Sequence, residues 1–281
     1  MSSRMLRAGG AVYFRHIVGQ SLTTARGLDH LRAHGAFVLV CNHTSYLDHF
    51  VLTFALEAMR EGGWWFLTKK ESFDDPLARR WTRAWNGIPV DRERMETQTV
   101  REVRRRLGEG DVVCVYPEGT RGSDSRRMRA FRPGAFHFAV SEGVPIVPAV
   151  IVGAEAVLPK GRLRPRKGRI DLQIGPPLTA DAAGSQRDRA ARLAAVSRAW
   201  MQSALDEVWT RRAGGILGEI GVLERVVDLR RRGMLVGARR RSLELLIRGA
   251  LTGVPVSEPE PPGVWPRSRV RALLSDRRNT A

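Results

Sequence analysis

The amino-acid sequence predicts an α/β domain: a twisted, mostly parallel sheet flanked by helices, with an amphipathic helix before it and a basic helical extension after it. Three observations predict this. Short β-branched, apolar runs such as Phe37-Val38-Leu39-Val40 and Ile146-Val147 recur along the chain. Longer stretches with helical spacing alternate with them. Hydrophobic residues make up 43% of the 281 positions, enough to bury a sizeable core.

Residues 5–24 carry Leu6, Tyr13, Phe14, Ile17, Val18 and Leu22, with Arg4, Arg7, Arg15 and Arg26 interspersed. This spacing predicts a basic amphipathic helix, interrupted near Gly9-Gly10. Such a helix either covers the core or lies in a lipid interface. Residues 36–41 read as a buried strand running into Asn42-His43-Thr44-Ser45-Tyr46-Leu47-Asp48, and residues 49–59 as an apolar helix. A second strand is expected over 64–68, a helix over 75–86 after the Asp75-Pro76 break, and a short strand at 88–90. Residues 97–107 form a helix with exposed arginines. The strand at 111–116 delivers Pro117-Glu118-Gly119-Thr120-Arg121-Gly122. A helix over 135–142 and strands over 146–152 and 169–174 follow.

From 188 to 211, Leu193, Val196, Trp200, Ala204 and Val208 recur on one helical face. Beyond Gly214-Gly215 lies a basic extension. Its two apolar stretches adjoin Arg230-Arg231-Arg232 and Arg239-Arg240-Arg241, and a proline-rich linker occupies 255–266. The organisation expected is an N-terminal helix (1–24), a central domain (25–211) and a C-terminal extension (212–281).

The formal net charge is +18, and only four of the 47 basic residues are lysine. That surface attracts anionic lipid, phosphorylated substrates or nucleic acid, although an arginine bias this strong also fits genome composition. No zinc-finger pattern and no aromatic-rich RNA-binding signature accompanies the charge, so no nucleic-acid partner is expected. Cys41 and Cys114 lie at the ends of strand-like runs. They suggest no disulfide framework, and a reducing cytoplasm fits them. His30, His34, Cys41, His43 and His49 match no standard zinc spacing, so no metal and no cofactor is expected. Residues 1–20 lack the apolar core of a signal peptide, and no run of about 18 apolar residues would span a bilayer. Any membrane contact should be peripheral.

Four segments carry chemistry. His43 and Asp48 are five residues apart, which in a continuous helix would put them about 140° from each other. A turn at the strand end must therefore bring them together. A carboxylate on one ring nitrogen fixes the tautomer and leaves the other nitrogen as a base for an attacking alcohol. In Pro117–Gly122, glycine permits close backbone approach and arginine offers a fork that matches phosphate oxygens. Glu118 either accepts from ligand hydroxyls or holds the arginine. Arg92, in Gly87-Ile88-Pro89-Val90-Asp91-Arg92, is a second candidate phosphate ligand. Val144-Pro145-Ile146-Val147-Pro148 places two prolines at a strand start, as at an edge or boundary. The arginines after Gly122 (Arg126, Arg127, Arg129, Arg132) either widen an anionic site or form a solvated loop.

Together these segments resemble the glycerolipid acyltransferase family, specifically the 1-acylglycerol-3-phosphate acyltransferases. Asn42, His43 and Asp48 match its Asn-His-x4-Asp motif. Residues 117–121 match its Pro-Glu-Gly-Thr-Arg block in full, with Tyr116 in place of the commoner phenylalanine. Residues 87–92 and 144–148 resemble its two further blocks, in the same order. The resemblance covers roughly residues 25–210 and implies a twisted, mostly parallel sheet. It implies His43 as the general base and Asp48 as its orienting partner. Glu118, Gly119, Thr120 and Arg121 would bind the acceptor's glycerol phosphate, with help from Arg92. The donor would be acyl-CoA or acyl-carrier protein and the acceptor a lysophospholipid, with no metal required. The setting would be an anionic membrane surface, on the cytoplasmic, inner face of the cell membrane. Another lysolipid or an amino-acid lipid remains open as acceptor, and so does a non-catalytic role on an anionic surface.

Overall fold

A computed structural model describes residues 3–32, 35–122, 125–162, 164–231 and 264–265. The chain divides into two compact units, one of residues 1–205 with 263–281 and one of 206–262.

Helix α1 runs Ser3–Ser21 without a break. Gly9-Gly10 do not interrupt it, because Gly10 lies against the indoles of Trp81 and Trp85. A Cβ at Gly10 would stand 2.8 Å from the Trp81 ring. Glycine in a helix interior costs about 1 kcal/mol relative to alanine, and here the tight approach of α1 to two tryptophans offsets that cost. Arg7 and Arg15 of α1 turn towards the protein, whereas Arg4 is exposed. Arg15 pairs with Glu57 at 2.6 Å, and Arg7 reaches Asn86 at 3.3 Å and lies over the Trp85 ring. The exposed face instead carries Met5, Val12 and Tyr13.

Leu22 does not extend α1. It begins strand β1, Leu22–Arg26, which the sequence pattern missed. The miss has a physical cause: only Leu22 and Ala25 of its five side chains are buried, so no alternation marks it. A one-turn 3₁₀ segment, Leu28–Arg32, leads to β2, Phe37–Cys41, all five residues of which are buried. The remaining elements are α2 (Leu47–Met59), β3 (Trp64–Lys69), a second 3₁₀ turn (Lys70–Phe73), α3 (Pro76–Ala84), β4 (Gly87–Val90), α4 (Thr97–Gly108), β5 (Val112–Val115), α5 (Gly134–Glu142), β6 (Ile146–Val152), α6 (Ala154–Val157), β7 (Ile170–Ile174), α7 (Gln186–Arg231) and β8 (Val264–Trp265).

The strands form one sheet in the order β4-β3-β5-β2-β6-β7-β1-β8. The first five are mutually parallel, β7 runs antiparallel to β6, and β1 is parallel to β7. The expected mostly parallel sheet flanked by helices is therefore present. Strand β6 departs from expectation. Pro148 lies inside the sheet, in register with Val40 of β2, and not at an edge. It is tolerated there because pairing with β7 ends at Ala149↔Ile174, one residue short of it. Pro89, by contrast, is exposed on the edge strand β4.

Helix α7 also differs from the pattern read in the sequence. Leu193, Ala204 and Val208 are buried as the spacing placed them, together with Ala190, Ser197, Met201 and Leu205, whereas Val196 is exposed. The apolar spacing was right to within one position of the helix, and Trp200 lies over Gly175. The helix continues through Gly214-Gly215 to Arg231. The second arginine cluster and most of the proline-rich stretch lie outside the described residues.

Because β2, β3, β4 and β5 are parallel, their C-terminal ends deliver residues 42–48, 69–71, 91–94 and 116–122 to one edge of the sheet. Sites of open α/β sheets form at that edge.

Candidate active site

Asn42 sits where β2 ends. Its side-chain amide donates to the Ile151 carbonyl and its oxygen accepts the Ile151 N–H, both at 2.8 Å. This reciprocal pair continues the β2–β6 ladder one step beyond Cys41↔Ala149 and fixes the chain as it leaves the sheet. The next residues turn sharply. The Ser45 hydroxyl donates to the Leu158 carbonyl at 2.7 Å and accepts the Leu47 N–H at 3.1 Å. The turn brings Asp48, in the first turn of α2, back to His43. The 140° separation of a continuous helix is thus removed by the loop, as the spacing required.

Asp48 is fully buried. Its Oδ2 accepts three donors: the Thr44 N–H at 2.7 Å, the Ser45 N–H at 2.8 Å and His43 Nδ1 at 2.9 Å. A carboxylate accepting from Nδ1 places the ring proton there and leaves the Nε2 lone pair free to take another. The positive end of α2 favours the negative charge. The His43 ring stacks on Tyr116, with centroids 4.0 Å apart and planes inclined by 15°. The Tyr116 hydroxyl is buried without a partner among the described residues, and burial pushes its ionisation well above the usual range. The ring face is what Tyr116 contributes, so phenylalanine would serve as well.

His43 opens onto a cavity of about 1010 Å³. Its polar end is lined by Arg92, Gly119, Thr120, Arg121 and Arg132, and its apolar wall by Phe50, Trp81 and Trp85 among others. Arg121 lies over the Tyr46 ring at 4.9 Å. Arg92 Nη1 donates to the Gly119 carbonyl at 3.0 Å, and Arg92 Nη2 approaches Glu71 at 3.4 Å. Gly119 has φ +70°, which favours glycine, and a Cβ there would stand 2.6 Å from Arg132 Nε, so the Arg132 side chain lies close over it.

The structure thus brings His43, Arg92, Gly119, Thr120 and Arg121 to one cavity, with Asp48 directly behind His43. Glu118 is placed differently from the expectation that it binds a ligand. It is buried, and its two oxygens accept the backbone N–H groups of His43 and Arg129, each at 3.2 Å. It ties the loop after β2 to the arginine-rich segment, and burial raises its pKa above the ordinary carboxylate value. Its partners are backbone groups of distant segments, which no sequence spacing announces. Arg132, for which the sequence left open an anionic site or a solvated loop, lines the cavity. The signal was the arginine run after Gly122, which carries no information on which member turns inward.

His49 lines the same cavity, with its Nε2 buried and without a partner among the described residues, and its ring against Phe66 and Phe50. Burial, together with the nearby charges of His43 and Arg7, pushes its pKa down to about 3. The unfolded chain takes up this proton below pH about 6.5 while the folded one resists. His49 therefore lowers stability as pH falls from about 6.5 towards 3, by up to about 1.4 kcal/mol per pH unit. His49→Leu is expected to flatten the acid limb of a chemical-denaturation series between pH 6.5 and 4. A limb as steep as the wild type's would refute the buried neutral histidine.

Comparison with known proteins agrees with this geometry. Residues 23–152, from β1 to the end of β6, match the family model described as Acyltransferase. The chain is 29% identical over 150 residues to the 1-acyl-sn-glycerol-3-phosphate acyltransferase of Bacillus subtilis (strain 168), covering 53% of this chain and 70% of that one. It is 32% identical over 204 residues to the alpha 1-acyl-sn-glycerol-3-phosphate acyltransferase of Ovis aries, covering 68% and 65%. Several other curated relatives, from green alga and plants, are matched over only about half their length. The crystal structure of the 1-acyl-sn-glycerophosphate (LPA) acyltransferase, PlsC, from Thermotoga maritima superposes with a TM-score of 0.54 at 24% identity. That superposition covers 73% of this chain and 79% of that one, and it supports the fold.

Proposed function

We propose that this chain, whose residues 23–152 match the family model described as Acyltransferase, moves a fatty acyl group from a thioester to the free hydroxyl of 1-acylglycerol 3-phosphate, making phosphatidic acid. The observation that carries the reading is the His43–Asp48 pair, with His43 on the wall of a cavity lined by Arg92, Arg121 and Arg132 and by Phe50, Trp81 and Trp85. In this mechanism His43 Nε2 takes the proton of the acceptor hydroxyl as its oxygen attacks the thioester carbonyl carbon. The tetrahedral intermediate collapses with cleavage of the C–S bond, and the imidazolium returns its proton to the departing thiolate. Asp48 holds the ring in the productive tautomer and stabilises the transient cation. Arg121 and Arg92 bind the acceptor's phosphate.

The donor is acyl-CoA or acyl-carrier protein, and the reaction takes place at the inner face of the cell membrane. One observation supports a lipid surface. Met5, Val12, Tyr13 and Leu77 expose apolar side chains on α1 and α3, which pack together beside the aromatic wall of the cavity. Among the described residues, no helix is long and apolar enough to cross a membrane.

The test is release of free thiol from acyl-CoA with and without lysophosphatidic acid, with the product identified by mass. Release that needs the acceptor and yields phosphatidic acid is expected. Turnover with a different lysolipid alone would replace the acceptor. No turnover with CoA or carrier-protein donors would leave a lipid-surface role. Arg121→Ala should raise the acceptor KM about 10- to 100-fold, the weight of a charge-assisted phosphate contact, with the donor KM little changed. An effect confined to the donor KM would move Arg121 to the donor site.

A further inference from the structure

Arginine is abundant in this chain, and in the folded domain many arginines are matched by acids. Arg15 pairs with Glu57, Arg104 with Glu142, Arg105 and Arg106 with Glu102 and Glu109, and Arg192 with Asp181. The polar end of the cavity breaks this pattern. Arg132 has no carboxylate partner among the described residues, and its side-chain hydrogen bond runs from Nη1 to the carbonyl of Arg92. Arg92 in turn donates to the carbonyl of Gly119, the residue against which Arg132 Nε lies. The Arg132 backbone N–H is anchored to the Pro117 carbonyl at 2.7 Å. Two guanidinium groups are therefore crossed over one glycine and held by neutral carbonyls. Among the described residues, Arg92 pairs with Glu71 at 3.4 Å on an exposed surface, and Asp91 and Glu93 line the same cavity without an ion pair to Arg132.

Like charges held side by side repel, and carbonyl partners leave the net positive charge intact. Of the five N–H donors of Arg132, one is occupied and the guanidinium lines the cavity. The arrangement suits a ligand bearing more than one negative charge and several acceptor oxygens. A terminal phosphomonoester has both; a phosphodiester carries one charge and fewer free oxygens.

We propose that Arg132 is a phosphate-binding residue that acts with Arg92 as a crossed pair of guanidiniums, holds the terminal phosphomonoester of the acceptor, and discriminates monoester from diester lysolipids. The proposal rests on reading this cavity as the acceptor site. Residue 132 lies outside the four recognised motif segments, and the second positive charge of the pair comes from the end of an arginine run that otherwise looks like a solvated loop.

The experiment compares wild type, Arg132→Gln and Arg132→Lys in steady-state kinetics with lysophosphatidic acid and with lysophosphatidylglycerol. Acyl-CoA and acyl-carrier protein serve as separate donors, because CoA carries a phosphomonoester of its own. Arg132→Gln is expected to raise the KM for lysophosphatidic acid about 10- to 100-fold. The donor KM should stay within about twofold, and the low activity with lysophosphatidylglycerol should not change. Arg132→Lys should recover much of the loss, since it keeps the charge and gives up only the fork.

Equal damage in the Gln and Lys variants, with kcat falling and acceptor KM unchanged, would overturn the proposal and leave Arg132 as a brace for the Gly119 loop. A change in KM for acyl-CoA but not for the carrier-protein donor would overturn it in favour of the donor's phosphate. Failure of the acceptor reading itself would show as a wild type inactive on lysophosphatidic acid. Calorimetric binding of monomeric 1-hexanoyl lysophosphatidic acid to wild type and Arg132→Gln then decides the site separately. Weaker binding in the variant sustains it, and equal binding or none in the wild type ends it.

Discussion

His43→Ala is expected to fold as the wild type does and to lose kcat by about 10²- to 10⁴-fold, the usual weight of a positioned general base. Folding survives because the imidazole is on the cavity wall and not in the core. Its removal takes away the stack on Tyr116 and one of three hydrogen bonds to Asp48. The Asp48 carboxylate keeps the N–H groups of Thr44 and Ser45, so no buried charge is left without donors. The stability cost should be about 1.5–3 kcal/mol, the range for a hydrogen bond to a charged group. Because a base in the proposed role acts on the reacting hydroxyl and not on the phosphate, the acceptor KM should change little. The measurement is single-turnover acyl transfer alongside a thermal melt. Wild-type turnover in a folded variant would remove His43 from the mechanism.

Asp48→Asn should reach a comparable loss of kcat, about 10²- to 10⁴-fold, with the loop geometry kept. The reason lies in how the carboxylate is used. All three donors converge on Oδ2, while Oδ1 is buried with no partner among the described residues. An asparagine can therefore present its oxygen where Oδ2 was and place its amide in the unpartnered position. The hydrogen bonds persist and only the negative charge disappears. What is lost is stabilisation of the imidazolium that forms as the acceptor gives up its proton. One buried amide without acceptors adds about 1–3 kcal/mol of destabilisation. Because the two residues act as one unit, the double variant should be about as slow as His43→Ala alone. Losses that multiply would mean that Asp48 contributes independently, for example only through the fold of the 43–48 loop.

Much of the fold was legible in the sequence because its central strands are short, fully buried and bounded by turns. Strand β6 was read with the bounds the structure gives it, and β2, β3 and β5 to within a residue or two. The reading failed where burial is shared between surfaces. Strand β1 hides only two side chains. Gly9-Gly10 looked like a helix break because the tryptophans that use the vacant space lie some 70 residues away. On α7, Leu193, Ala204 and Val208 are buried as the spacing placed them, whereas Val196 obeys the same spacing and is exposed.

By itself the sequence determined which groups are available to react and in what order they occur. His43, Asp48, Gly119, Arg121 and Arg92 stand in local segments whose residue types already fit them for proton transfer and phosphate binding. Only the tertiary structure decided their neighbours. Glu118 turned out to bind the backbone of His43 and Arg129, and Arg132 left its arginine-rich run to cross Arg92 over Gly119. Local chemistry is written in consecutive residues. A buried carboxylate or an unmatched guanidinium takes its role from whichever backbone groups the parallel strands bring beside it, and that is set only when β2, β4 and β5 end at the same edge.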